Sequence, residues 1–333
     1  MSISLTRAKE IVSKFHEKRI LVVGDVFLDR YIYGKVERLN PEAPVPILHA
    51  RREENATGGA GNTAKNAALL GARVTCIGVS GNDDMATAVV QAAQEEGYEL
   101  ALVHDTRMHT IVKNRFIVGT QQLLRVDYEE ILDPDSAVED SLIETIDRHA
   151  SDIDAILVSD YAKGAISERV AHALMAAMKQ HSVPMMVDAK PSRAPYFTGT
   201  TYISPNRKEA HEYLGMNMHE NGGKKAHELA SMVSASFDTT VFLTLSSEGM
   251  YVQARHGKGE YVSTNYVHED EVVDTSGCGD TAAVTILLST LADATLVEAA
   301  DIANGAGATV ARKAGAVGIT QEELLHTIEE HHA

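Results

Sequence analysis

The sequence predicts a layered α/β fold, a three-layer αβα sandwich with a mostly parallel central sheet and a small β-sheet lid. Short apolar runs rich in β-branched residues alternate with helical stretches, as buried strands and their connecting helices do in a parallel sheet. Two regions, 31–51 and 110–128, break this alternation, because strand-type residues occur there without a helical partner. The alternation predicts the central sheet, and the two exceptions predict inserted lid strands.

The predicted strands of the central sheet are short, as strands buried on both faces should be. They span 20–23, 74–79, 155–158, 184–187, 202–204 and 241–245. Helical patterns lie between and after them. They span 63–70, 84–96, 136–149, 168–181, 224–236, 280–291 and 296–312. Residues 1–19 also have the pattern of an amphipathic helix.

The domain organisation predicted is a single domain spanning 1–333, with lid strands inserted at about 31–51 and 110–128. No linker rich in Gly, Ser or Pro marks a second domain, and the sequence contains no repeat. The central sheet and its lid are therefore expected to belong to one unit.

Composition excludes several classes of function. The 30 Lys and Arg residues against 47 Asp and Glu residues give a net charge of −17, which lacks the basic surface of a nucleic-acid binder. Cys76 and Cys278 have no CxxC spacing, which argues against a disulfide framework or a structural zinc site. No signal peptide or membrane-spanning run is seen. We expect a cytoplasmic protein without nucleic-acid or membrane partners.

A glycine-rich turn, Asp-Thr-Ser-Gly-Cys-Gly-Asp at 274–280, precedes the long apolar helix. Free N–H groups at a helix start, with glycines that let a ligand approach the main chain, suit a phosphate. A lone Asp at this position would be an ordinary first-turn residue favoured by the helix dipole. Among these glycines, Asp280 becomes a candidate general base.

This turn resembles the late signature, D-T-x-G-x-G-D, of the PfkB or ribokinase-like family of carbohydrate kinases. The segment 57–64, Thr-Gly-Gly-Ala-Gly-Asn-Thr-Ala, is similar to the early signature of that family, although alone it would predict only a tight turn. The resemblance implies a ribokinase-like fold, with ATP and Mg²⁺ as cofactors. It implies that Asp280 takes a proton from the acceptor hydroxyl, and that the amides of Gly277, Cys278 and Gly279 form an anion hole.

The nucleotide side resembles the same family at three places. Asn206 and Glu209 match its N-x-x-E, in which Glu209 supports Mg²⁺ through water, although alone this pattern would be a helix N-cap. The family's T-x-G-x-x-G corresponds to 244–249, where Ser246 replaces the first glycine. The remaining nucleotide residues implied are Thr244, Gly249 and Asn304. Asn304 would lie at the adenine wall, but a satisfied polar helix residue explains it equally.

The resemblance also implies a monovalent cation such as K⁺ beside the anion hole. Its site would be formed by Asp274, Thr275 and the loop 314–317, although an ordinary turn explains the same pattern. A homodimer through the lid is also expected, because one subunit leaves an apolar lid face uncovered. The residues of that face are Val45, Ile47, Ile117 and Val118.

Four segments, 24–31, 41–46, 121–127 and 159–164, resemble the kinases of D-glycero-D-manno-heptose 7-phosphate. This implies phosphorylation of the anomeric C1 hydroxyl by ATP, giving heptose 1,7-bisphosphate for ADP-heptose and lipopolysaccharide core synthesis. The expected sugar ligands are Asp29, Gly58, Gly59 and Asn62. The candidates for the 7-phosphate are Lys163, Lys190, Arg38 and Arg115, each of which alone would be a solvated surface charge.

Alternatives remain open. A PfkB-type kinase of another sugar or sugar phosphate shares the catalytic turn. A sugar- or nucleotide-binding protein without catalysis is a different class, against which the intact Asp280 argues. Residues 23–26 do not match the G-x-G-x-x-G of a dinucleotide oxidoreductase. No H-x-G-H turn of a nucleotidyltransferase occurs, so a monofunctional kinase is expected.

Two further positions depart from the family pattern. Cys278 stands where Ala is common, and Asn40 stands where Ser is usual. At a helix N-terminus the thiol of Cys278 has either a lowered pKa and high reactivity or the inert character of a buried cysteine.

Overall fold

The apolar runs form one large sheet in the computed structural model, which describes residues 3–218, 224–315 and 317–332. Within these ranges the strands are β1 (Arg19–Gly24), β2 (Val26–Leu39), β3 (Pro46–Gly59), β4 (Arg73–Ser80), β5 (Glu99–His104), β6 (Val112–Val118), β7 (Gln121–Tyr128), β8 (Ala155–Asp160), β9 (Met185–Ala189), β10 (Tyr202–Ile203), β11 (Thr240–Thr244), β12 (Met250–Gln253) and β13 (Gly259–Val262). The helices are α1 (Leu5–Val12), α2 (Ala60–Leu69), α3 (Asp84–Glu95), α4 (Ser136–His149), α5 (Glu168–His181), α6 (Arg207–Tyr213), α7 (Ala226–Phe237), α8 (Cys278–Leu291), α9 (Leu296–Ala311) and α10 (Gln321–His332).

The central sheet has the strand order β13-β12-β11-β10-β9-β8-β1-β4-β5. From β11 to β5 all neighbours pair in parallel, whereas β12 and β13 pair antiparallel at one edge. Successive residues of β1 belong to different cores: Val22 packs in the core that contains α2, α8 and α9, and Leu21 packs in the core that contains α4, α5 and α7. Apolar side chains on both faces explain why the strands are buried between helices, and the predicted three-layer fold is confirmed.

The lid is a separate four-stranded sheet with the order β3-β2-β6-β7. It contains both predicted regions, but β2 and β3 extend beyond 31–51, because they remain paired from Val26 with Gly59 outward. Gly59 ends β3 with a φ of 63° and caps α2, a backbone conformation that favours glycine. Helix α2 therefore begins before the predicted residue 63. This four-stranded sheet is called the lid sheet below, and the single-domain division of 1–333 stays a prediction.

Several elements were missed or differ in length. The predicted N-terminal helix over 1–19 is wrong in extent, because α1 spans Leu5–Val12 with Ser4 as its N-cap, and β1 starts at Arg19. Met1 and Ser2 lie outside the described residues. Strand β5 and the hairpin of β12 and β13 escaped prediction because they lie at sheet edges and lack a continuous apolar run. No helix in the described ranges has the length and apolarity that crossing a bilayer requires.

Candidate active site

A cavity of about 680 Å³ opens where β8, β9, β10 and β11 end and α8 begins. The carboxyl ends of parallel strands meet at one edge of the sheet, which is where such folds bind ligands. The volume suits a nucleotide-sized molecule. Within the described residues, the cavity is lined by all five predicted nucleotide residues and by Glu209, Thr275, Lys190, Gly277, Cys278, Gly279 and Asp280.

One wall of the cavity is formed mainly by small and apolar residues of α9 and of the loop before the glycine-rich turn. Ala303, Asn304 and Gly307 belong to α9, and Val267 and Val272 belong to the loop before the glycine-rich turn. Asn304 also donates from Nδ2 to the carbonyl of Val262 at 3.2 Å. This bond ties α9 to β13 and makes Asn304 a satisfied polar helix residue that also lines the cavity, while its place at the adenine wall stays a prediction.

Asp280 lies in the first turn of α8 and is buried, with 7% of its surface exposed. Its carboxylate accepts hydrogen bonds from Asn62 Nδ2 at 2.6 Å and from the hydroxyl of Tyr161 at 2.8 Å. Thr63 Oγ1 is a more distant donor at 3.3 Å. Burial raises the pKa of Asp280, and these donors and Lys190 act in the opposite direction. The group is thus a desolvated carboxylate with a fixed orientation, which is what a general base requires.

Asp280 is held in place because α2 and α8 meet at their N-termini. Asn62 and Thr63 are in the first turns of α2. One turn farther on, Thr281 Oγ1 donates to Asn66 Oδ1 at 2.8 Å, so the two helices are also linked behind the site. The early glycine-rich segment therefore positions the late one.

The predicted anion hole lies at the start of α8. Gly277 caps the helix with a φ of 80°, and Cys278 and Gly279 are the first helical residues, whose N–H groups have no intrahelical acceptor. The N–H of Cys278 donates to Thr275 O at 3.3 Å, so it is partly engaged within the turn. Burial and the charges of Asp274 and Asp280 raise the pKa of the Cys278 thiol to about 11. This shift favours the inert alternative for the cysteine, although the residue is half-buried rather than buried.

Acidic side chains missed by the sequence interpretation line the same cavity. Asp160 is the last residue of β8, and Asp188 is the next-to-last residue of β9. Lys190 Nζ is 2.9 Å from Glu209 Oε1, and Glu209 also forms a capping box with Asn206 at the start of α6. The predicted N-cap role and the cavity position therefore coexist in one pair of residues. No residue-type rule separates Asp160 or Asp188 from ordinary strand-end carboxylates, so only the fold identifies them.

The carboxyl of Asp188 has a pKa raised to about 7, because burial and the charges of Asp280 and Glu209 disfavour ionisation, against the opposing charge of Lys190. An unfolded Asp ionises near about 3.9. Between these pH values the folded protein holds a proton that the unfolded chain has released. Protonated Asp188 therefore contributes favourably to the free energy of unfolding below pH 4, and this contribution is lost as the pH rises to about 7.

Asp188→Asn removes this titration. The free energy of unfolding of the variant, relative to the unmodified protein, is therefore expected to increase from pH 5 to pH 8. Urea denaturation at both pH values measures the difference. Asp293→Asn is the control, because that side chain is 84% exposed. The prediction is wrong if Asp188→Asn and the control show the same pH dependence.

The residues predicted to bind the sugar lie between the lid sheet and α2, and they are called the sugar side below. Arg115 on β6 donates to Asp29 on β2 from Nη2 at 3.0 Å and Nε at 3.2 Å. A Cβ placed at Gly58 would lie 2.2 Å from the ring of Phe27 and 2.6 Å from Asp29 Oδ2, so only glycine fits beside this carboxylate. Asp29, Gly58, Gly59 and Arg115 thus form one group, which Asn62 connects to Asp280.

The four candidates for the 7-phosphate do not lie together. Lys190 lines the cavity described above, and Lys163 Nζ is 2.9 Å from Glu129 Oε1 beside the lid sheet. Arg38 is exposed near the far end of β2, up to about 30 Å from Asp29 by the usual rise per residue. Sequence reasoning missed Lys113, which is buried on β6, lies 5.0 Å above the Phe27 ring and pairs with Asp127 and Glu129. A lysine in a β-rich lid resembles any surface charge in the sequence.

The expected K⁺ site is described only in part. Asp274 accepts the N–H of Ser276 at 2.9 Å and that of Gly315 at 3.0 Å, so it joins the turn to the loop after α9. The loop 314–317 contains Ala316, which lies outside the described residues. A monovalent cation at this place stays a prediction.

Comparisons with known proteins agree with this geometry. The family model described as pfkB family carbohydrate kinase matches residues 17–323. D-beta-D-heptose 7-phosphate kinase of Bordetella bronchiseptica is 38% identical over 307 residues, covering 92% of this chain and 95% of that protein. Bifunctional protein HldE of Caulobacter vibrioides is 37% identical over 311 residues, covering 93% of this chain; the chain spans 63% of the length of that relative.

The fold is also that of a solved carbohydrate kinase. Phosphofructokinase-2 from Escherichia coli, crystallised in complex with potassium, superposes with a TM-score of 0.77 at 17% sequence identity, covering 95% of this chain and 100% of that one. The family match over most of the chain, the αβα fold with its lid sheet and the intact late signature agree. This chain belongs to the pfkB family of carbohydrate kinases.

Proposed function

We propose that this sugar kinase transfers the γ-phosphoryl group of ATP to the anomeric C1 hydroxyl of D-glycero-D-manno-heptose 7-phosphate in the cytoplasm. The product is heptose 1,7-bisphosphate, a precursor of ADP-heptose for the lipopolysaccharide core. The observation that carries the proposal is the buried carboxylate of Asp280, fixed at the boundary between a nucleotide-sized cavity and the sugar side. The similarity to a heptose 7-phosphate kinase supports the choice of sugar.

In the proposed reaction Asp280 accepts the proton of the C1 hydroxyl as the oxygen attacks the γ-phosphorus. The new O–P bond forms, the bond from the γ-phosphorus to the β,γ-bridging oxygen breaks, and ADP leaves with that electron pair. The N–H groups at the start of α8, with the helix dipole, stabilise the charge on the transferring group. Lys190 lines the cavity beside Glu209, so its position favours the nucleotide phosphates over the 7-phosphate.

Mg²⁺ fits the donor set of this cavity. Glu209 and Asp188 supply hard oxygen ligands, and a bound cation would favour the ionised form of Asp188. Among the described lining residues, Lys190 is the one cationic side chain beside Asp160, Asp188, Glu209 and Asp280. Among the described residues no cluster of three or more side chains forms a complete metal cage, which suits an ion that keeps its waters and arrives on ATP. Glu209 would hold it through water. The bound ion would supply neutralisation of phosphate charge.

On the sugar side, Asp29 is the proposed acceptor for sugar hydroxyls, with Gly58, Gly59 and Asn62 beside it. Arg115 neutralises Asp29 and leaves donors available to a phosphate. Lys163 shares Glu129 with Lys113, and an arriving phosphate can replace that carboxylate as their common partner. Arg38 remains a candidate only if the lid sheet of a second subunit brings it near a site.

The substrate is tested by incubating the protein with MgATP and heptose 7-phosphate, and locating the new phosphate by ³¹P and ¹³C NMR. Phosphate at C1 is the expected outcome. Fructose 6-phosphate, ribose and the dephosphorylated heptose serve as competing substrates. Preferred turnover of one of these identifies another PfkB-type kinase, and binding without turnover of any sugar identifies a non-catalytic sugar- or nucleotide-binding protein.

K⁺ is expected to raise kcat, because a cation held by Asp274 and Thr275 would strengthen the anion hole. A potassium complex exists for the E. coli phosphofructokinase-2 structure described above, which supports the idea. Initial rates are compared in potassium and in a bulky organic cation at equal ionic strength. Equal rates in the two buffers contradict the prediction.

A homodimer through the lid sheet is expected, because Leu39, Leu124 and Tyr128 of this sheet are 65%, 56% and 65% exposed, and Val45, just before β3, is 48% exposed. Ile47, Ile117 and Val118 of the predicted face are half-buried in the same sheet. Leu124→Asp should convert the dimer to a monomer in light scattering at micromolar concentration. Met232→Asp is the control, since Met232 is an exposed apolar residue of α7 away from the lid sheet. A fully active monomer of the unmodified protein contradicts the prediction.

A further inference from the structure

The loop that follows β8 is fixed by a buried carboxylate. Asp25, 3% exposed, accepts the backbone N–H groups of Tyr161 at 2.8 Å, Lys163 at 2.9 Å and Ala165 at 2.9 Å. Asp160 accepts the N–H of Ala162 at 2.8 Å, which holds Ala162 at a φ of 56°. Nearly every amide of this segment therefore has an acceptor, and its backbone conformation is strongly determined.

The side chain of Tyr161 is held between two neighbours. Its ring contacts Phe27 edge to face, with centroids 6.1 Å apart, and Lys190 Nζ lies 5.7 Å from its centroid. Its hydroxyl reaches Asp280 Oδ1 at 2.8 Å, while Asn62 binds Oδ2. Burial and the charge of Asp280 raise the pKa of Tyr161 well above 10, so the phenol keeps its proton and acts as the donor.

We propose that Tyr161 is a positioning residue for phosphoryl transfer: its hydroxyl orients the carboxylate of Asp280 and keeps it ionised, so that the base is ready to accept the substrate proton. This inference rests on the proposed function, because it assumes that Asp280 is the base. During transfer the proton moves from the sugar hydroxyl to Asp280, and Tyr161 retains its own proton. Asn62 and Tyr161 each occupy one carboxylate oxygen, which leaves the remaining lone pairs for the substrate.

The other charged groups around Asp280 do not replace this donor. Lys190, which follows β9, favours the ionised form of Asp280 through its charge, but its ammonium group is paired with Glu209. The charge of Asp280 helps to raise the pKa of Asp188 on β9, and burial raises the pKa of the Cys278 thiol on α8, so neither group donates to Asp280. Thr63 on α2 is at 3.3 Å from Asp280 Oδ1 and is also 3.1 Å from Ser159 Oγ. Tyr161 therefore supplies the short bond to Oδ1.

Tyr161→Phe tests the inference through the pH dependence of kcat/KM. Removing a donor to the ionised form raises the pKa of the carboxyl. The acid limb is the part of the profile in which kcat/KM falls as the pH decreases. Its midpoint should therefore move upward by about 0.5–1 pH unit, and kcat/KM well below that midpoint should fall about three- to tenfold. At high pH the loss should be smaller, because Asp280 is then ionised in both proteins. An acid limb at its original pH, or an equal loss at every pH, overturns the inference.

Tyr266→Phe is the matched control. The Tyr266 hydroxyl also donates to a buried carboxylate, Asp301 Oδ1 at 3.1 Å, outside the described cavity lining. The acid limb of Tyr266→Phe should lie at the same pH as that of the unmodified protein. If Tyr161→Phe fails to fold, 3-fluorotyrosine at position 161 is used instead, because it keeps the ring and its hydroxyl is a stronger hydrogen-bond donor. The acid limb should then move to lower pH. An acid limb that does not move overturns the inference.

Failure of the inference is distinguishable from failure of the proposed function. Absence of C1 phosphorylation by the unmodified protein removes the proposed function. The other case is that the unmodified protein and Tyr266→Phe both make the 1,7-bisphosphate, and the acid limb of Tyr161→Phe lies at the same pH as theirs. The proposed function then stands, and only the role proposed for Tyr161 is wrong.

Discussion

Asp280→Asn is expected to lower kcat by about 10²–10⁴-fold while leaving the fold and MgATP binding nearly intact. The amide has the same shape as the carboxyl and can still accept a hydrogen bond from Tyr161, but it cannot take the proton of the C1 hydroxyl. Since the carboxylate is buried and its pKa is raised by burial, replacing it with a neutral group should not reduce stability greatly. The loss should therefore appear in turnover rather than in folding.

The measurement pairs kcat with thermal unfolding and with nucleotide binding by calorimetry. If Asp280 were only a first-turn helix residue, the variant would lose less than about 1 kcal/mol of stability and keep its turnover. A near-normal kcat would therefore refute the role of Asp280 as the base. Asp274→Asn is a useful comparison, since it changes a carboxylate of the same turn that binds backbone N–H groups.

Asp25→Ala should have the next largest effect, on both stability and turnover. It leaves the amides of Tyr161, Lys163 and Ala165 without their acceptor. Each unsatisfied buried donor destabilises by about 1–3 kcal/mol, and partial entry of water limits the sum to about 3–5 kcal/mol. The loop then no longer holds Tyr161 against Asp280, and kcat/KM should fall about 10²-fold, as misplaced catalytic groups do.

Urea denaturation and steady-state kinetics on one preparation measure both effects. Asp135→Ala is the matched control, because Asp135 accepts the N–H groups of Ala137 and Val138 at the start of α4, away from the cavity. Its loss should be about 1 kcal/mol, without change in turnover. If Asp25→Ala behaves as this control does, the loop does not depend on Asp25.

The parts of the fold that could be predicted are those whose signal is local. The apolar run of β8 identifies a strand buried on both faces, and the glycines before Asp280 identify an anion site at a helix start. Asp25 and Tyr161 lie in two of the segments that carry the family resemblance, but no local pattern predicts what either side chain contacts. Their roles depend on a hydrogen bond between residues 119 positions apart and on others between residues 136 to 140 apart.

Edge strands were missed for a related reason. Residues of β5 and β13 are largely half-buried or exposed, so their sequences lack the apolar continuity of β1. The separation of Lys190 from Lys163 likewise follows from which strand each residue succeeds and from the position of the lid sheet. Neither the strand order nor the position of the lid sheet can be read from where these lysines occur in the sequence.

The pairing of Lys190 with Glu209 has a consequence for how the site distinguishes forms of its nucleotide. Before binding, each side chain is the counterion of the other, 2.9 Å apart. Nucleotide phosphates that attract Lys190 withdraw it from Glu209, whose charge then repels the same phosphates unless a cation accompanies them. Metal-free ATP would therefore meet a charge imbalance that the magnesium complex avoids. We therefore expect the site to bind the magnesium complex of ATP more tightly than metal-free ATP.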